Sequence, residues 1–284
     1  MKIAFSDFWW KFDPKRNFFL DSVKRIVENV EVTENIQDAD ILFFSCYSKE
    51  HMKSDRSRTK KIYFTGENTR PPLDDCDWSI SFDFENYGGK NFRLPLWMLQ
   101  IDWWNSGGYV NPQYVIPLSE VENNTFRNKP KSRFCATVFN RDAIGNRAQT
   151  ALELSKYKPV ECYGEPWGNW FYGEDVKLDV ISNYKFTLCY ENASYPGYFT
   201  EKPIHARSAG CIPIYWSDKR YVDDFNPKGF LHLSDFSGIA ELVEEVKRID
   251  SNDEIRLRMI SEPVFKNTPD IQPFMNFLEK ALKS

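Results

Sequence analysis

The chain has 284 residues, a length that suits two ordinary domains better than one large domain. Its 37 Lys and Arg residues nearly balance its 41 Asp and Glu residues, so the charge gives no case for a nucleic-acid-binding protein. No apolar run approaches about 18 residues, so we expect no transmembrane segment and a cytoplasmic protein, with peripheral attachment at the inner membrane as the alternative.

Apolar runs of strand length alternate with helical patterns through the first half of the chain. The predicted elements are the strand Ile3–Phe8, a helix near Phe18–Asn29, and the strands Glu31–Thr33, Ile41–Cys46, Lys61–Thr65 and Ser79–Phe84. Nearly continuous apolar strands separated by helices are typical of a parallel sheet covered on both faces. The pattern predicts a doubly wound α/β domain.

Two tryptophans and an acid follow the first predicted strand. We expect Asp7 to be exposed there, with Trp9 and Trp10 beside it. Flat aromatic rings with a polar edge suit the face of a sugar, so these residues are candidates for binding a sugar ring. Packing between domains is an equally good interpretation of the two tryptophans.

A second acid follows the strand Lys61–Thr65, in a turn that begins with Gly66. A carboxylate at the carboxyl end of a parallel strand is well placed to act as a general base, which makes Glu67 a candidate catalytic residue. The simpler alternative is that Glu67 caps the turn.

Two Asp-x-Asp sequences raise the question of a metal site. Asp38 and Asp40 precede one predicted strand, and Asp75 and Asp77 precede another, whereas a metal clamp would follow its strand. Turn capping therefore explains these acids better, and we predict no metal site.

The second half repeats the alternation of strands and helices. Val115–Lys131 contains Pro117 and Pro130 and is predicted to join a first domain, residues 1–125, to a second domain, residues 126–284. The predicted strands after it are Arg133–Phe139, Val160–Tyr163, Lys185–Tyr190, Cys211–Trp216 and Phe230–Leu233. The predicted helices are Ile144–Tyr157, Val176–Asn183, Ile239–Ile249, Glu254–Phe265 and Pro273–Leu282. The final helix could pack back across the first domain.

An arginine pair lies where the strand Arg133–Phe139 passes into a helix. An Arg in the first turn of a helix is poorly placed for the helix dipole but well placed for a diphosphate, whose oxygens match its fork of donors. Arg141 and Arg147 compete for this role on residue type alone, and either one is also compatible with a plain surface position.

The segment Lys185–Trp216 is predicted to form strand, loop, short helix and strand. Thr200 is expected to cap the helix, and Gly210 is expected to end it. Such a crossover directs the helix start to the carboxyl edge of the sheet, where open α/β folds bind nucleotides. Tyr198, Glu201 and Lys202 lie at that point, so they are candidates for binding a nucleotide, although Glu201 and Lys202 could also be ordinary helix charges.

Several short blocks of the sequence occur in a characteristic order. They are Phe64–Asn68, Phe82–Phe84, Arg93–Leu96, Tyr184–Asn192, Gly197–Lys202, Ile212–Trp216 and Asp224–Lys228. Together they resemble the signature of the α1,3/4-fucosyltransferases, glycosyltransferase family 10, in its short bacterial form. The resemblance implies the GT-B fold, with two Rossmann-like doubly wound domains facing across a cleft. Residues 1–125 would then bind the acceptor, with Asp7, Trp9 and Trp10 as candidates for acceptor binding, and residues 126–284 would bind GDP-fucose. The resemblance also implies catalysis that requires no cofactor, with a divalent metal at most stimulatory.

The same resemblance assigns roles to individual positions. It implies that Glu67 is the general base for the acceptor hydroxyl. It further implies a donor site that consists of Arg147 and Lys202 at the diphosphate, Glu201 and Tyr198 on the nucleoside side, and Asn192 near the donor.

The predicted function is inverting transfer of L-fucose from GDP-fucose to the 3-OH, or the 4-OH, of GlcNAc in an N-acetyllactosamine-like glycan. The expected partners are therefore GDP-fucose and an oligosaccharide acceptor, without nucleic acid. Two alternatives stay open at this point. One is a transferase that uses another nucleotide sugar, and the other is a non-catalytic glycan-binding protein.

Overall fold

The computed structural model describes residues 1–104, 116–123, 130–139, 146–164 and 174–284. The described residues form two compact units. Met1–Leu99 and Asp270–Ser284 belong to the first unit, and the second unit takes the described residues between Gln100 and Pro269. The predicted boundary between residues 125 and 126 lies outside the described residues and stays a prediction.

A six-stranded parallel sheet organises the first unit. Its strands in chain order are β1 (Lys2–Ser6), β2 (Glu31–Val32), β3 (Ile41–Phe44), β4 (Lys60–Phe64), β5 (Trp78–Ser81) and β6 (Asn91–Arg93). Their order across the sheet is β2-β1-β3-β4-β5-β6, so β3 lies between β1 and β4. All four residues of β3 are buried, as expected for a central strand covered on both faces.

The first helix, α1 (Phe18–Lys24), begins at a side-chain cap and buries an aromatic face. The Asn17 carboxamide oxygen accepts the backbone N–H of Leu20 at 2.9 Å, which satisfies one of the unpaired donors of the first turn. Phe19 packs against Phe43 and Phe64 of the sheet, with ring centroids 5.6 and 4.7 Å away. The helix ends five residues before the predicted Asn29.

A five-stranded parallel sheet organises the second unit. Its strands are β9 (Arg133–Val138), β10 (Val160–Tyr163), β11 (Tyr184–Leu188), β12 (Ile212–Tyr215) and β13 (Leu231–His232). Two earlier strands, β7 (Ile101–Asp102) and β8 (Ile116–Pro117), pair with each other in a separate small sheet. The order across the sheet is β10-β9-β11-β12-β13. The carboxyl ends of all five strands therefore lie along one edge.

Helices flank this second sheet. They are α2 (Leu118–Asn123), α3 (Asn146–Ser155), α4 (Glu174–Ile181), α5 (Lys202–Ser208), α6 (Ile239–Asp250) and α7 (Asp253–Ser261). The sequence-based prediction missed α2, which lies within the segment interpreted as a linker. Helix α7 ends before the predicted Phe265 because Glu262 precedes Pro263 and takes an extended ψ of 143°.

The crossover helix α5 differs from its prediction at the start and agrees with it at the end. Thr200 does not cap the helix, since its N–H and its hydroxyl both donate to the carboxylate of Glu191. Glu201 takes the cap position without a side-chain bond. Gly210 follows the last turn with a φ of 73°, a conformation that favours glycine and ends the helix as predicted.

The closing helix, α8 (Gln272–Lys283), belongs to the first unit, where its Phe274 ring lies 5.2 Å from Phe18. Across the described ranges, no helix combines the length and the apolar character needed to cross a membrane.

Candidate functional site

A buried carboxylate organises the carboxyl edge of the second sheet. Glu191 follows β11, and its side chain has no exposed surface. It accepts the N–H of Thr200 at 2.8 Å, the hydroxyl of Thr200 at 2.7 Å and the hydroxyl of Tyr215 at 2.8 Å. These bonds tie the start of α5 and the end of β12 to the loop after β11. No role was predicted for Glu191 from the sequence.

Lys202 is held within this arrangement by ion pairs. Its ammonium lies 3.0 Å from Glu191 Oε2, 4.0 Å from Glu201 Oε1 and 2.7 Å from the Thr200 hydroxyl. Burial alone would lower the pKa of Lys202, but the carboxylates of Glu191 and Glu201 outweigh it and raise that pKa above its usual value. Lys202 is therefore a fixed, permanently charged group at the edge of the sheet.

Glu201 lies between two lysines. Lys177, on α4, is 3.8 Å from Glu201 Oε1, and its ammonium also lies 3.0 Å from Nδ1 of His205. Burial would raise the pKa of Glu201, but Lys202 and Lys177 together bring it down to about 2. Sequence reasoning missed Lys177 because it lies on a different helix from the motif around Lys202.

Arg147 reaches the same loop from α3. Its Nη2 donates to the carbonyl of Tyr190 at 2.5 Å and to that of Glu191 at 3.3 Å, and it lies 3.4 Å from Asn192 Oδ1. The structure thus brings Arg147, Asn192, Glu201 and Lys202 together around Glu191. Arg141, the competing arginine, lies outside the described residues.

Tyr198 occupies the same loop but is covered. Its side chain is buried, just after Gly197, which has a φ of 91°. A role of Tyr198 on the nucleoside side of the donor stays a prediction.

Glu67 lies at the carboxyl edge of the first sheet, directly after β4. Its carboxylate is half-buried, and Oε1 accepts the hydroxyl of Tyr47 at 2.8 Å. The turn is fixed by Thr65, whose hydroxyl accepts the Glu67 N–H at 3.0 Å. No described residue donates to Oε2, and no backbone N–H of the described chain is capped by this side chain. Glu67 therefore does not cap the turn through any described N–H group, and its role as a general base stays a prediction.

Asp7 has a different place from the one predicted. The expectation of an exposed acid was wrong, because Asp7 is buried. Its backbone has a φ of 61°. The carboxylate accepts the N–H groups of Glu50 and His51 at 2.8 and 2.9 Å and lies 2.7 Å from His51 Nδ1. Burial opposes ionisation, but these bonds and the Ser48 hydroxyl hold the pKa of Asp7 below its usual value. Asp7 thus anchors the segment after β3.

The two tryptophans differ in exposure. Trp9 packs edge-on against Phe12 and Phe64, with centroids 5.2 and 6.3 Å away. The ring of Trp10 is 81% exposed, and the ammonium of Lys11 lies 4.2 Å from its centroid. Trp10 therefore presents an open aromatic surface after β1, whereas Trp9 is mainly part of the packing.

The Asp-x-Asp sequences are occupied by protein donors. Asp40 accepts the N–H of Lys2 at 2.7 Å, and Asp77 accepts the N–H of Lys61 at 2.9 Å. Within the described ranges, no group of three or more His, Cys, Asp or Glu side chains is arranged to hold a metal ion. A cavity of about 460 Å³ lies at the amino ends of β1, β3 and β4, lined in part by Asp40 and Lys60. It is on the opposite edge of the sheet from Glu67.

Two family models match the chain in succession. The α-(1,3)-fucosyltransferase FucT N-terminal domain matches residues 3–100, and the glycosyltransferase family 10 (fucosyltransferase) C-terminal model matches residues 127–260. The first includes Glu67, and the second includes Arg147, Glu191 and Lys202.

Individual proteins are also similar to the chain. The α-(1,3)-fucosyltransferase FucT of Helicobacter pylori is 26% identical over 290 residues, which cover 92% of this chain and 60% of that protein. The 4-galactosyl-N-acetylglucosaminide 3-α-L-fucosyltransferase 9 of Mus musculus is 30% identical over 125 residues, covering 43% of this chain and 34% of that one. The chain thus spans less than two thirds of the length of either relative.

A solved structure matches the whole chain. The crystal structure of an α1,3-fucosyltransferase with GDP-fucose has a TM-score of 0.76 and 22% identity, and the match covers all of this chain and 90% of that one. This likeness shows the fold, and with the two parallel sheets it identifies the GT-B class of two Rossmann-like units.

Proposed function

The chain belongs to glycosyltransferase family 10, and on that premise we propose that it is an inverting fucosyltransferase that moves L-fucose from GDP-fucose to a GlcNAc hydroxyl. The acceptor is an N-acetyllactosamine-like glycan, and the hydroxyl is the 3-OH or the 4-OH. The observation that carries the proposal is the geometry of Glu67, a half-buried carboxylate with one oxygen bonded to Tyr47 and the other without a described donor.

Glu67 acts as the general base in this proposal. As the acceptor oxygen forms its bond to C1 of fucose, its proton passes to Glu67, and the bond from C1 to GDP breaks on the opposite face. The electron pair of that bond leaves with GDP. A carboxylate suffices because it needs to accept the proton only while the new bond forms. General base catalysis of this kind raises the reaction rate by roughly 100- to 10,000-fold.

The second unit supplies the charges that a departing diphosphate requires. Lys202 is fixed and charged beside Glu191, and Arg147 reaches the same loop. Fixed cations stabilise a developing phosphate charge well, because they need no reorganisation during the reaction. We propose that these side chains meet the charge on GDP without an obligatory metal, and that Glu201, Asn192 and Tyr198 complete the donor site.

GDP release measured with GDP-fucose and a panel of N-acetyllactosamine, lactose and type 1 acceptors tests this function. We expect release that depends on both GDP-fucose and a GlcNAc-containing acceptor and that persists in EDTA. Release with a different nucleotide sugar, or only with added metal, would favour another transferase. Glycan binding without any GDP release would favour the non-catalytic alternative. The cytoplasmic location stays a prediction, which cell fractionation would check.

A further inference from the structure

Tyr47 connects two of the predicted site residues of the first unit. It follows β3, the strand between β1 and β4. Its backbone N–H donates to the carbonyl of Asp7 at 3.0 Å, at the end of β1, and its hydroxyl donates to Glu67 Oε1 at 2.8 Å, after β4. The backbone of Tyr47 is thus held by the residue after β1, and its hydroxyl is held by the turn after β4.

The segment that follows Tyr47 is fixed by Asp7. The buried carboxylate of Asp7 accepts the hydroxyl of Ser48 and the N–H groups of Glu50 and His51. The His51 ring stacks on Phe44, the last residue of β3, with centroids 4.1 Å apart. A loop held at so many points keeps little freedom, so the position of Tyr47 is set before any ligand arrives.

The Tyr47 side chain is nevertheless 49% exposed. A large aromatic ring that is fixed at both ends and open to solvent, beside a carboxylate, matches the chemistry of a sugar, which offers apolar C–H groups on one face and hydroxyls at its rim. The ring can cover the C–H face while the carboxylate beside it receives a rim hydroxyl.

We propose that Tyr47 is the positioning residue for Glu67 and the platform on which the acceptor pyranose ring packs. This inference rests on the proposed function and deepens it. The Tyr47 hydroxyl occupies Oε1 and so fixes the rotation of the Glu67 carboxylate, which directs Oε2 to the acceptor. The acceptor proton passes to Oε2 as the acceptor oxygen bonds to C1 of fucose and GDP leaves with its electron pair.

Two substitutions separate the hydroxyl from the ring. Tyr47→Phe removes the hydrogen bond to the charged Glu67, so we expect kcat to fall about 10- to 100-fold. Because the ring is kept, the KM for the acceptor should not change. Tyr47→Ala also removes the ring, so the acceptor KM should rise by roughly 5- to 10-fold in addition. GDP-fucose affinity, measured by calorimetry, should not change in either variant.

Tyr157→Phe is the matched control. The Tyr157 hydroxyl also donates to a carboxylate, that of Asp250 at 3.1 Å, but in the packing between α3 and α6. We expect this variant to keep the wild-type kcat and acceptor KM. A loss of kcat in Tyr157→Phe equal to that in Tyr47→Phe would overturn the inference, because a general loss of packing would then explain both.

A double-mutant cycle with Glu67→Gln completes the test. If Tyr47 acts through Glu67, Tyr47→Phe should not lower the residual rate of Glu67→Gln any further. An equal fall of the rate in both backgrounds, or an unchanged kcat in Tyr47→Phe alone, would overturn the inference while leaving the proposed function intact. A wild-type protein that transfers no fucose would overturn both.

Discussion

The ammonium of Lys202 lies 3.0 Å from the carboxylate of Glu191, whose side chain is fully buried. From the sequence, Lys202 at the start of α5 could equally have been an ordinary helix charge. Because Glu191 also binds Thr200 and Tyr215, Lys202 is instead fixed to a rigid part of the second sheet. The donor site of the proposed enzyme therefore depends on a residue that need not touch the donor.

Replacing Lys202 by alanine should weaken GDP-fucose binding about 10- to 100-fold, because a charged hydrogen bond to phosphate is lost. Isothermal titration calorimetry measures this directly. Lys185→Ala is the control, since Lys185 also pairs with a buried acid, Asp250 at 2.9 Å, but at the start of β11. Equal donor affinity in wild type and Lys202→Ala would count against the assignment of Lys202.

Replacing Glu191 by glutamine should destabilise the fold by about 3 to 5 kcal/mol, because the largely buried ammonium of Lys202 would keep only the more distant carboxylate of Glu201, 4.0 Å away. Denaturant unfolding measures the change. Glu161→Gln is the control, because the ion pair of Glu161 with Arg133 is exposed and should contribute little to stability. Equal costs for both variants would show that the Glu191 network is not a stabilising element.

Gly229 should not tolerate a side chain. A Cβ there would lie 3.3 Å from the Arg207 guanidinium carbon. That guanidinium cannot move easily, since it donates to the carbonyls of Met259, Ile260 and Glu262 at the end of α7. We expect Gly229→Ala to cost about 1 to 3 kcal/mol of unfolding free energy. Gly238→Ala, where a Cβ meets nothing within 4 Å, should cost less, because its only penalty is that of alanine in place of glycine at the N-cap of α6, and an equal loss in both would refute this explanation.

His232 should make the fold sensitive to acid. It is fully buried, its Nε2 accepts the N–H of Ser217 at 3.1 Å, and burial, with a contribution from Lys219, lowers its pKa to about 4. The folded protein disfavours the protonated ring of His232. The contribution of the neutral ring to the free energy of unfolding is therefore fully present above the unfolded pKa of about 6.5 and is lost as pH falls toward 4. The decrease in the free energy of unfolding should approach about 3 kcal/mol.

The test compares the pH dependence of unfolding in wild type and His232→Gln, which cannot titrate in this range. The variant should show a smaller decrease in unfolding free energy between about pH 6.5 and pH 4. Parallel curves would mean that His232 does not cause the acid sensitivity.

The alternation of strands and helices could be predicted because central parallel strands such as Ile41–Phe44 are buried on both faces and so read as continuous apolar runs. Several short elements could not be predicted. The two-residue strands β7 and β8 and the short helix α2 carry too few residues to produce a periodic pattern, although the equally short β2 and β13 were predicted. Element ends shifted where one residue decided them, as Pro263 did for α7.

The candidate site could be predicted only in part, for a related reason. Lys202 and Glu67 follow strands, and their place at a sheet edge follows from chain order. The role of Glu191 depends on Thr200 and Tyr215, which lie 9 and 24 residues away and meet it only after β11 and β12 pair. The burial of Asp7 likewise depends on His51, 44 residues away.

The variant Glu67→Gln tests the role of Glu67 most sharply when fucosyl transfer and GDP-fucose affinity are measured on the same preparation. We expect a transfer rate lower by roughly 100- to 10,000-fold, since the base is lost, and a donor affinity equal to that of wild type. Weakened donor binding with intact turnover would contradict this role, because Glu67 would then belong to the donor site and another group would remove the proton.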